Sequence, residues 1–106
     1  MKQKEAVLNA IIRTMKQVAP NAKVILYGSA ARGEDTAQSD IDLLILVDKD
    51  TLTHHDRTAV AYPLYDIEFD TGIIISPMVL SRKDWETRHQ ITPFYENVKK
   101  EGIRIC

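Results

Sequence analysis

Two neighbouring stretches organise this chain: LYGSAARG at residues 26–33, and SDIDLLILV at residues 39–47. In the first, an apolar strand runs into a turn of small residues, and in the second two aspartates open another apolar strand. Successive side chains of a strand alternate between its faces, so Asp40 and Asp42 share a face, with Cα atoms roughly 7 Å apart. Two parallel carboxylates at that spacing repel each other unless a cation lies between them. Magnesium prefers carboxylate oxygens and substrate phosphates, so the pair indicates a metal–nucleotide site.

The rest of the second strand argues against two merely solvated acids. Leu44 and Leu46 continue the face of the aspartates. The opposite face carries Ile41, Leu43, Ile45 and Val47. Beyond Asp42 the strand is therefore apolar on both faces, which is typical of a strand in the interior of a sheet. The acids are confined to the entry end, where a cleft can lie. On the strand alone, an ordinary strand start with exposed acids stays open as the alternative.

The turn between the two strands supplies the other half of the pattern. Gly28 and Ser29 follow a strand and precede a short helical turn over residues 30–32. Glycine lets a ligand approach the backbone closely, and successive N–H groups there can bind phosphate oxygens. Ser29 adds a hydroxyl, and Arg32 adds a planar cationic donor. A Gly-Ser turn alone is usually only a turn, but beside Asp-x-Asp it predicts a triphosphate on one side and its metal on the other.

These residues resemble the signature of the minimal nucleotidyltransferases of the DNA polymerase beta superfamily, in which Gly-Ser, ten intervening residues and Asp-x-Asp follow one another as they do here. The similarity covers most of the chain, because ISP at residues 75–77 and PFYENV at residues 93–98 are similar to the tail of one bacterial subgroup. It implies an α/β (α+β) nucleotidyltransferase-like fold, a small mixed β-sheet with helices packed on it, in a single domain over residues 1–106. Such small proteins resemble the antitoxin partners of HEPN-domain toxins, some of which transfer AMP to the toxin.

The resemblance implies nucleotidyl transfer, in which an acceptor oxygen attacks the α-phosphate of ATP or another nucleoside triphosphate and pyrophosphate leaves. The acceptor would be a hydroxyl of a protein or an RNA, and a HEPN-domain toxin would be the partner. Two Mg²⁺ ions would lie between the carboxylates and the phosphates. The residues that this reaction would use are Asp40 and Asp42 for the metal, and Gly28, Ser29, Arg32 and Ser39 for the nucleotide.

Members of the superfamily normally add a third carboxylate on a neighbouring strand, and here the match is poor. The third strand offers Ser76 at the position first expected for it. Asp66, Glu68 and Asp70 precede that strand; in a helix Asp66 and Asp70 share a face, whereas in an extended segment all three align. We take Asp70 as the third catalytic candidate, and a solvated acidic face before a strand is the alternative. Without a third acid the protein would bind nucleotide and turn it over slowly or not at all.

Two other functions stay open. The small size, the poor match at the third acid and aromatic residues expected to be exposed, such as Tyr95, favour a binding module, an antitoxin that neutralises a toxin by direct contact and keeps a vestigial site. A regulatory nucleotide sensor would instead bind ATP tightly without turnover.

Composition limits the class of protein. The 106 residues are 44% hydrophobic and 27% charged, which is typical of one soluble globular domain with one modest core. A net charge of −1 provides no global basic field for long nucleic acids. No apolar run approaches the roughly 20 residues of a membrane span, and the N-terminus leads into an amphipathic segment rather than a signal peptide. The single cysteine, Cys106, cannot form an internal disulfide, so a reducing cytoplasm is the expected location.

Periodicity predicts the remaining elements. Apolar residues at three- and four-residue steps indicate a helix over residues 3–18, and a first strand follows at residues 23–27. A capping box at Thr53 starts a helix that reaches about residue 70, with a kink or break near Tyr62 because Pro63 removes a backbone donor. His54 and His55 are adjacent and point about 100° apart on a helix, so they indicate a solvated helix start rather than a metal site.

The C-terminal third is expected to hold one more strand and two short helices. The strand covers residues 73–80, and Pro77 places a bend, a bulge or an edge in it. Helices begin at Ser81 and at Thr92, and residues 103–105 add a final edge strand.

Overall fold

The computed structural model describes residues 2–36, 39–87 and 92–106. The elements along the chain are α1 (Lys2–Val18), β1 (Lys23–Tyr27), α2 (Ser29–Arg32), β2 (Ile41–Val47), α3 (His54–Thr71), β3 (Ile75–Ser81), α4 (Arg82–Thr87), α5 (Pro93–Glu101) and β4 (Ile103–Arg104). The predicted fold class, a small mixed sheet with helices packed on it, is confirmed. None of the helices within the described ranges is long and apolar enough to cross a membrane.

The four strands form one sheet in the order β3-β2-β1-β4. Strand β1 is antiparallel to both β2 and β4, and β2 is parallel to β3, with α3 as the crossover between them. In this register Asp42 on the central strand lies opposite Tyr27 on one side and Ser76 on the other. Both β3 and β4 lie at the edges, as expected for the strand that contains Pro77 and for the short C-terminal strand.

Helices cover both faces of the sheet, which explains why β2 is apolar on both sides. On one face α1 and α3 pack against the strands, and the buried side chains there include Val7, Ile11, Met15, Val24, Leu26, Ile41, Leu43, Ile45, Val60 and Leu64. On the other face α4 and α5 bury a smaller cluster, made of Leu44, Leu46, Trp85, Tyr95 and Val98. The expectation that Tyr95 is exposed is therefore wrong. The carboxylates at the start of β2 therefore lie on the face that α4 and α5 cover.

Helix α3 runs without interruption from His54 to Thr71, so, of the kink or break predicted near Tyr62, the break is wrong. A proline inside a helix costs about 3 kcal/mol because it removes one hydrogen bond and crowds the preceding turn. Val60 and Leu64 on either side of Pro63 are buried against the sheet, and each such burial contributes about 1.5–3 kcal/mol. Tertiary packing therefore outweighs the local cost of the proline.

The predicted helix starts are present as side-chain caps. Thr53 accepts a hydrogen bond from the Asp56 N–H at 3.1 Å, and the Asp56 carboxylate accepts one from the Thr53 N–H at 3.0 Å, which completes the capping box. The Ser81 hydroxyl accepts a hydrogen bond from the Asp84 N–H at 3.0 Å. The third strand begins later than predicted, at Ile75, because Gly72 ends α3 in a left-handed conformation and the chain needs residues 73 and 74 to reach β2.

Candidate active site

The glycine turn lies directly against the second aspartate. Gly28 has φ 76° and ψ −156°, a conformation that is essentially restricted to glycine. A Cβ atom added to Gly28 would overlap with Oδ2 of Asp42. Glycine is therefore required twice here, by its backbone angles and by the carboxylate beside it. The two halves of the sequence pattern meet at one place in the fold.

Asp40 and Asp42 act on each other electrostatically. Partial burial raises the pKa of Asp42, the charge of Asp40 raises that pKa further, and Arg32 lowers it. Oδ2 of Asp40 accepts a hydrogen bond from the Ser76 hydroxyl at 3.3 Å. The site therefore holds two close carboxylates and one hydroxyl at the open end of β2 and β3.

This donor set fits a hard divalent cation such as Mg²⁺, which favours oxygen ligands. The raised pKa of Asp42 shows that its surroundings do not fully offset the cost of its partly buried negative charge. A cation beside Asp42 would reduce that cost. Among the described residues no group of three or more His, Cys, Asp or Glu side chains is arranged to hold a metal. The described residues thus offer the two carboxylates of Asp40 and Asp42, and substrate phosphates would have to complete the coordination.

Arg32 stands at the mouth of the site between two glutamates. Its Nε donates to Glu34 at 3.0 Å, and its Nη1 donates to Glu101 on α5 at 3.1 and 3.2 Å. These hydrogen bonds raise the pKa of the Arg32 guanidinium. Arg32 would have to exchange one of these partners to bind a phosphate. Sequence reasoning missed Glu101, which is 69 positions away along the chain.

Ser39 lies in the loop before Asp40, and its hydroxyl is already engaged. It accepts a hydrogen bond from the Thr36 N–H at 2.9 Å. Its carbonyl oxygen accepts one from Lys4 Nζ on α1 at 3.0 Å. Sequence reasoning missed Lys4 because a lysine in an amphipathic helix is ordinarily counted with the solvated face.

The structure does not bring Asp70 together with Asp40 and Asp42. Residues 66–70 are helical, and α3 packs on the opposite face of the sheet from the two aspartates. Asp70 is exposed there, and Glu68 uses Oε1 to accept the Ile75 N–H at 2.8 Å. The position first expected for a third acid is occupied by Ser76, in register with Asp42.

Tyr27 is a further residue of the site that sequence reasoning gave no role. It is half-buried opposite Asp42, and burial and the charge of Asp42 both raise the pKa of its phenol. The Tyr27 ring meets Phe94 edge-on at 5.3 Å, and Trp85 meets Phe94 at 5.8 Å. An aromatic cluster therefore adjoins the acidic end of β2. The pairing of β1 with β2 that creates it follows a long loop, for which the sequence specifies no turn type.

Solved structures of similar architecture support the fold. A structure described as a toxin–antitoxin with AMP-PNP has a TM-score of 0.64 and 23% sequence identity, and the match covers 92% of this chain and 70% of that one. A mutant of the toxin–antitoxin MntA-HpeT has a TM-score of 0.62 and 24% identity with the same coverage. At this level of identity the likeness shows a shared fold.

Sequence comparisons give the family. Two proteins of Methanocaldococcus jannaschii, MJ0141 and MJ0604, each named "Putative protein adenylyltransferase", are 32% identical over 84 residues and 35% identical over 80 residues. The alignments cover 78% and 76% of this chain, and 77% and 73% of those proteins. The family model for the nucleotidyltransferase domain matches residues 8–101. The chain therefore belongs to the nucleotidyltransferase domain family.

Proposed function

We propose that this chain, as one domain over residues 1–106, transfers AMP from ATP to a hydroxyl group of a protein in a Mg²⁺-dependent reaction. The observation that carries the proposal is the contact between the glycine turn and the acid pair, where no side chain separates Gly28 from Asp42. The names of the two archaeal relatives favour a protein acceptor and AMP as the transferred group. An RNA hydroxyl is the other acceptor to be tested.

The residues of the site have separable tasks in this reaction. Asp40 and Asp42 would hold Mg²⁺, which when bound neutralises charge that builds on the phosphate oxygens. Gly28 leaves the backbone open to a phosphate beside Asp42. The Ser29 hydroxyl makes no hydrogen bond with any described residue, so it is available as a donor to a phosphate oxygen, and Arg32 adds positive charge at the mouth.

The acceptor hydroxyl must lose a proton when it attacks, and the described residues offer no evident base for it beside Asp40 and Asp42. The described part of the chain places no third carboxylate or histidine with Asp40 and Asp42. The Ser76 hydroxyl donates to Asp40 and is not a base at neutral pH. We therefore expect slow transfer by the isolated chain and faster transfer when the partner contributes a basic group near its acceptor hydroxyl.

The test uses ATP labelled at either the α or the γ phosphate, with the chain, Mg²⁺ and either the protein encoded beside it or total RNA as acceptor. We expect α label on the acceptor, γ label in pyrophosphate, and no transfer after chelation with EDTA. Transfer of γ label would show a kinase reaction. Tight ATP binding without transfer to either acceptor would favour the nucleotide sensor instead.

A second candidate, a binding module that acts on a partner by contact, is favoured by the outer face of α3. Tyr62, Tyr65 and Phe69 are 61%, 43% and 90% exposed, and their spacing puts them on one face of the helix, opposite the buried Val60 and Leu64. Helix α3 is thus apolar on both sides, although a surface helix normally has one polar face. Exposed aromatic groups of this kind are typical of protein–protein contacts.

The surroundings of this aromatic face favour a partner with basic residues around its contact surface. They also favour contact through side chains over pairing of a partner strand with the sheet. Asp66 and Asp70 are exposed next to it and form no ion pair with any described residue. Strand addition at the adjacent edge of β3 is hindered, because Glu68 occupies the Ile75 N–H and Pro77 has none. Two solved structures of this fold are described as toxin–antitoxin structures, which supports the proposal that the partner is a toxin, of the HEPN class. The proposal that it docks on α3 rests on the exposed aromatic residues alone.

Binding and transfer can be separated by two variants. We expect Phe69→Ser to weaken binding of the neighbouring gene's protein roughly 30-fold, as truncation of a central aromatic contact typically does. The double variant with Asp40→Asn and Asp42→Asn should bind that protein as the wild type does while losing transfer. If the double variant lost binding while Phe69→Ser bound like the wild type, contact through α3 would be ruled out.

A further inference from the structure

Lys4 is a buried lysine on the core side of α1. Its side chain is 6% exposed, and its position continues the stripe of Val7, Ile11 and Met15 at helical spacing. Lysine is rarely buried, because desolvation of an ammonium group is costly unless its N–H groups are all hydrogen-bonded. An apolar residue would continue this stripe at no such cost, so the presence of lysine requires another reason.

All three N–H groups of the Lys4 ammonium are used by one segment, the loop between α2 and β2. Nζ donates to the Thr36 carbonyl at 2.7 Å and to the Ser39 carbonyl at 3.0 Å, and it forms an ion pair with Asp35 Oδ2 at 3.2 Å. The hydrogen bond from Lys4 lowers the pKa of Asp35, so the Asp35 carboxylate stays ionised at neutral pH. One side chain on α1 thereby contacts this polar loop at residues 35–36 and again at Ser39.

The same loop leads directly into the acid pair. Ser39 precedes Asp40, and the Ser39 carbonyl that Lys4 holds belongs to the peptide group that joins these two residues. The Ser39 N–H donates to the Thr36 carbonyl at 3.1 Å, and the Thr36 N–H donates to the Ser39 hydroxyl at 2.9 Å. Asp40 lies just before the first residue of β2, so the sheet does not fix its backbone as it fixes that of Asp42. The contacts of Lys4 restrict how the Asp40 backbone turns.

We propose that Lys4 is a positioning residue of the site, which holds the peptide before Asp40 so that the Asp40 and Asp42 carboxylates converge on one cation. The inference rests on the proposed function. It assigns a catalytic consequence to a residue of α1 that touches neither the carboxylates nor the glycine turn. Groups that orient metal ligands in this way typically change metal affinity 10–100-fold when they are removed.

The experiment compares Lys4→Met with Val7→Ala as a matched control. Methionine keeps the length and helix propensity of lysine and removes the three hydrogen bonds. Val7→Ala weakens the packing of the same helix, one turn further along, without touching the loop. Two quantities are measured at a temperature where both variants are folded: the affinity for Mn²⁺ in the presence of AMP-PNP, and the hydrogen exchange rates of the Ser39 and Ile41 amides.

We expect Lys4→Met to bind Mn²⁺ on the order of tenfold more weakly and to exchange both amides faster, with Val7→Ala close to wild type in both. Lys4→Arg, which keeps the charge and the donors, should recover part of the affinity. Unchanged affinity in Lys4→Met, or an equal loss in Val7→Ala, would overturn the inference. If the wild type itself binds no Mn²⁺ with AMP-PNP, the proposed function fails, and the exchange rates alone then show whether Lys4 holds the loop.

Discussion

The two faces of the sheet receive different contributions from the same strand. On one face the odd-numbered residues 41–45 of β2 are fully buried under α1 and α3. On the other face Leu44 and Leu46 are buried under α4 and α5, but the open end holds Asp42, a partly buried carboxylate beside Asp40. The first face contributes only apolar packing, whereas the second carries charged side chains at the start of β2.

The alternation of side chains along β2 therefore separates the residues that stabilise the fold from those of the candidate site. Neighbouring positions, such as Asp42 and Leu43, should therefore respond to mutation in opposite ways. A residue on the core face should change stability and leave the reaction of the folded protein intact. A residue on the site face should change the reaction and can even stabilise the ligand-free protein when its charge is removed.

Asp42→Asn should give the largest effect on transfer while changing stability little. We expect transfer to fall on the order of 1000-fold, because a metal ligand worth several kcal/mol in the transition state is lost. The melting temperature of the ligand-free protein should rise by a few degrees at most, because the variant removes a partly buried charge and its repulsion with Asp40, which water partly screens. Label transfer and scanning calorimetry on the same preparation measure both.

Asp70→Asn is the matched control for that variant. It makes the same chemical change on an exposed residue of α3, on the other face of the sheet. Transfer and melting temperature should both stay at wild-type values. A loss of transfer comparable to that of Asp42→Asn would mean that Asp70 reaches the site, contrary to the arrangement seen here.

Leu43→Ala should act on the opposite face with the opposite result. Leu43 is fully buried in the core cluster, and Leu→Ala substitutions at such positions cost about 2–5 kcal/mol. Transfer per folded molecule should be unchanged, since Leu43 points away from the carboxylates. Urea unfolding gives the free energy, and rates normalised to the folded fraction test the second statement. If the normalised rate also fell, by a factor that corresponds to the lost free energy of unfolding, the two faces of the sheet would be coupled.

Most of the fold, and the placement of the acid pair at the start of β2, were predictable because they depend on local patterns. The spacing of Asp40 and Asp42 fixes their common face as soon as the segment is a strand. The apolar residues on both faces of β2 required helices on both sides, and the structure has them. The capping box at Thr53 is local in the same sense.

Most of the misses depend on contacts that are distant along the chain. The place of Asp70 depends on which face α3 covers, and this follows from the crossover to β3 rather than from residues 66–70 themselves. The burial of Lys4 depends on a loop more than 30 positions away, which no helical periodicity reports. Pro63 was read correctly as a local cost, but burial of its neighbours on the sheet outweighs that cost.

Gly28→Ala should lower both stability and transfer, with an effect on transfer smaller than that of Asp42→Asn. The backbone conformation of Gly28 costs an alanine about 1–3 kcal/mol, and its Cβ would also displace the Asp42 carboxylate. We therefore expect both stability and transfer to fall. Gly72→Ala is the control, because Gly72 also has a positive φ of 76° but nothing lies within 4 Å of an added Cβ. Stability should fall there while the transfer rate of the folded protein stays constant.

The smallest expected effect is the pH dependence of the stability difference between Asp42→Asn and the wild type. Burial and Asp40 raise the pKa of Asp42 in the folded state, so ionised Asp42 destabilises the fold at neutral pH. That penalty is complete above the raised folded-state pKa and vanishes below the unfolded value near pH 4. The advantage of Asp42→Asn in melting temperature should therefore be complete at pH 7 and shrink as the pH falls towards about 4.

Calorimetry of both proteins at a series of pH values from 7 to 4 measures this difference directly. Asp35 and Asp56, whose pKa values are lowered by their hydrogen bonds, lose stabilising interactions in acid, but they do so equally in both proteins and cancel. A difference that stays constant across the range would mean that the advantage of asparagine comes from packing. A difference that closes means that the open end of β2 is destabilised by charge, and that a cation bound there would stabilise the fold as well as serve the reaction.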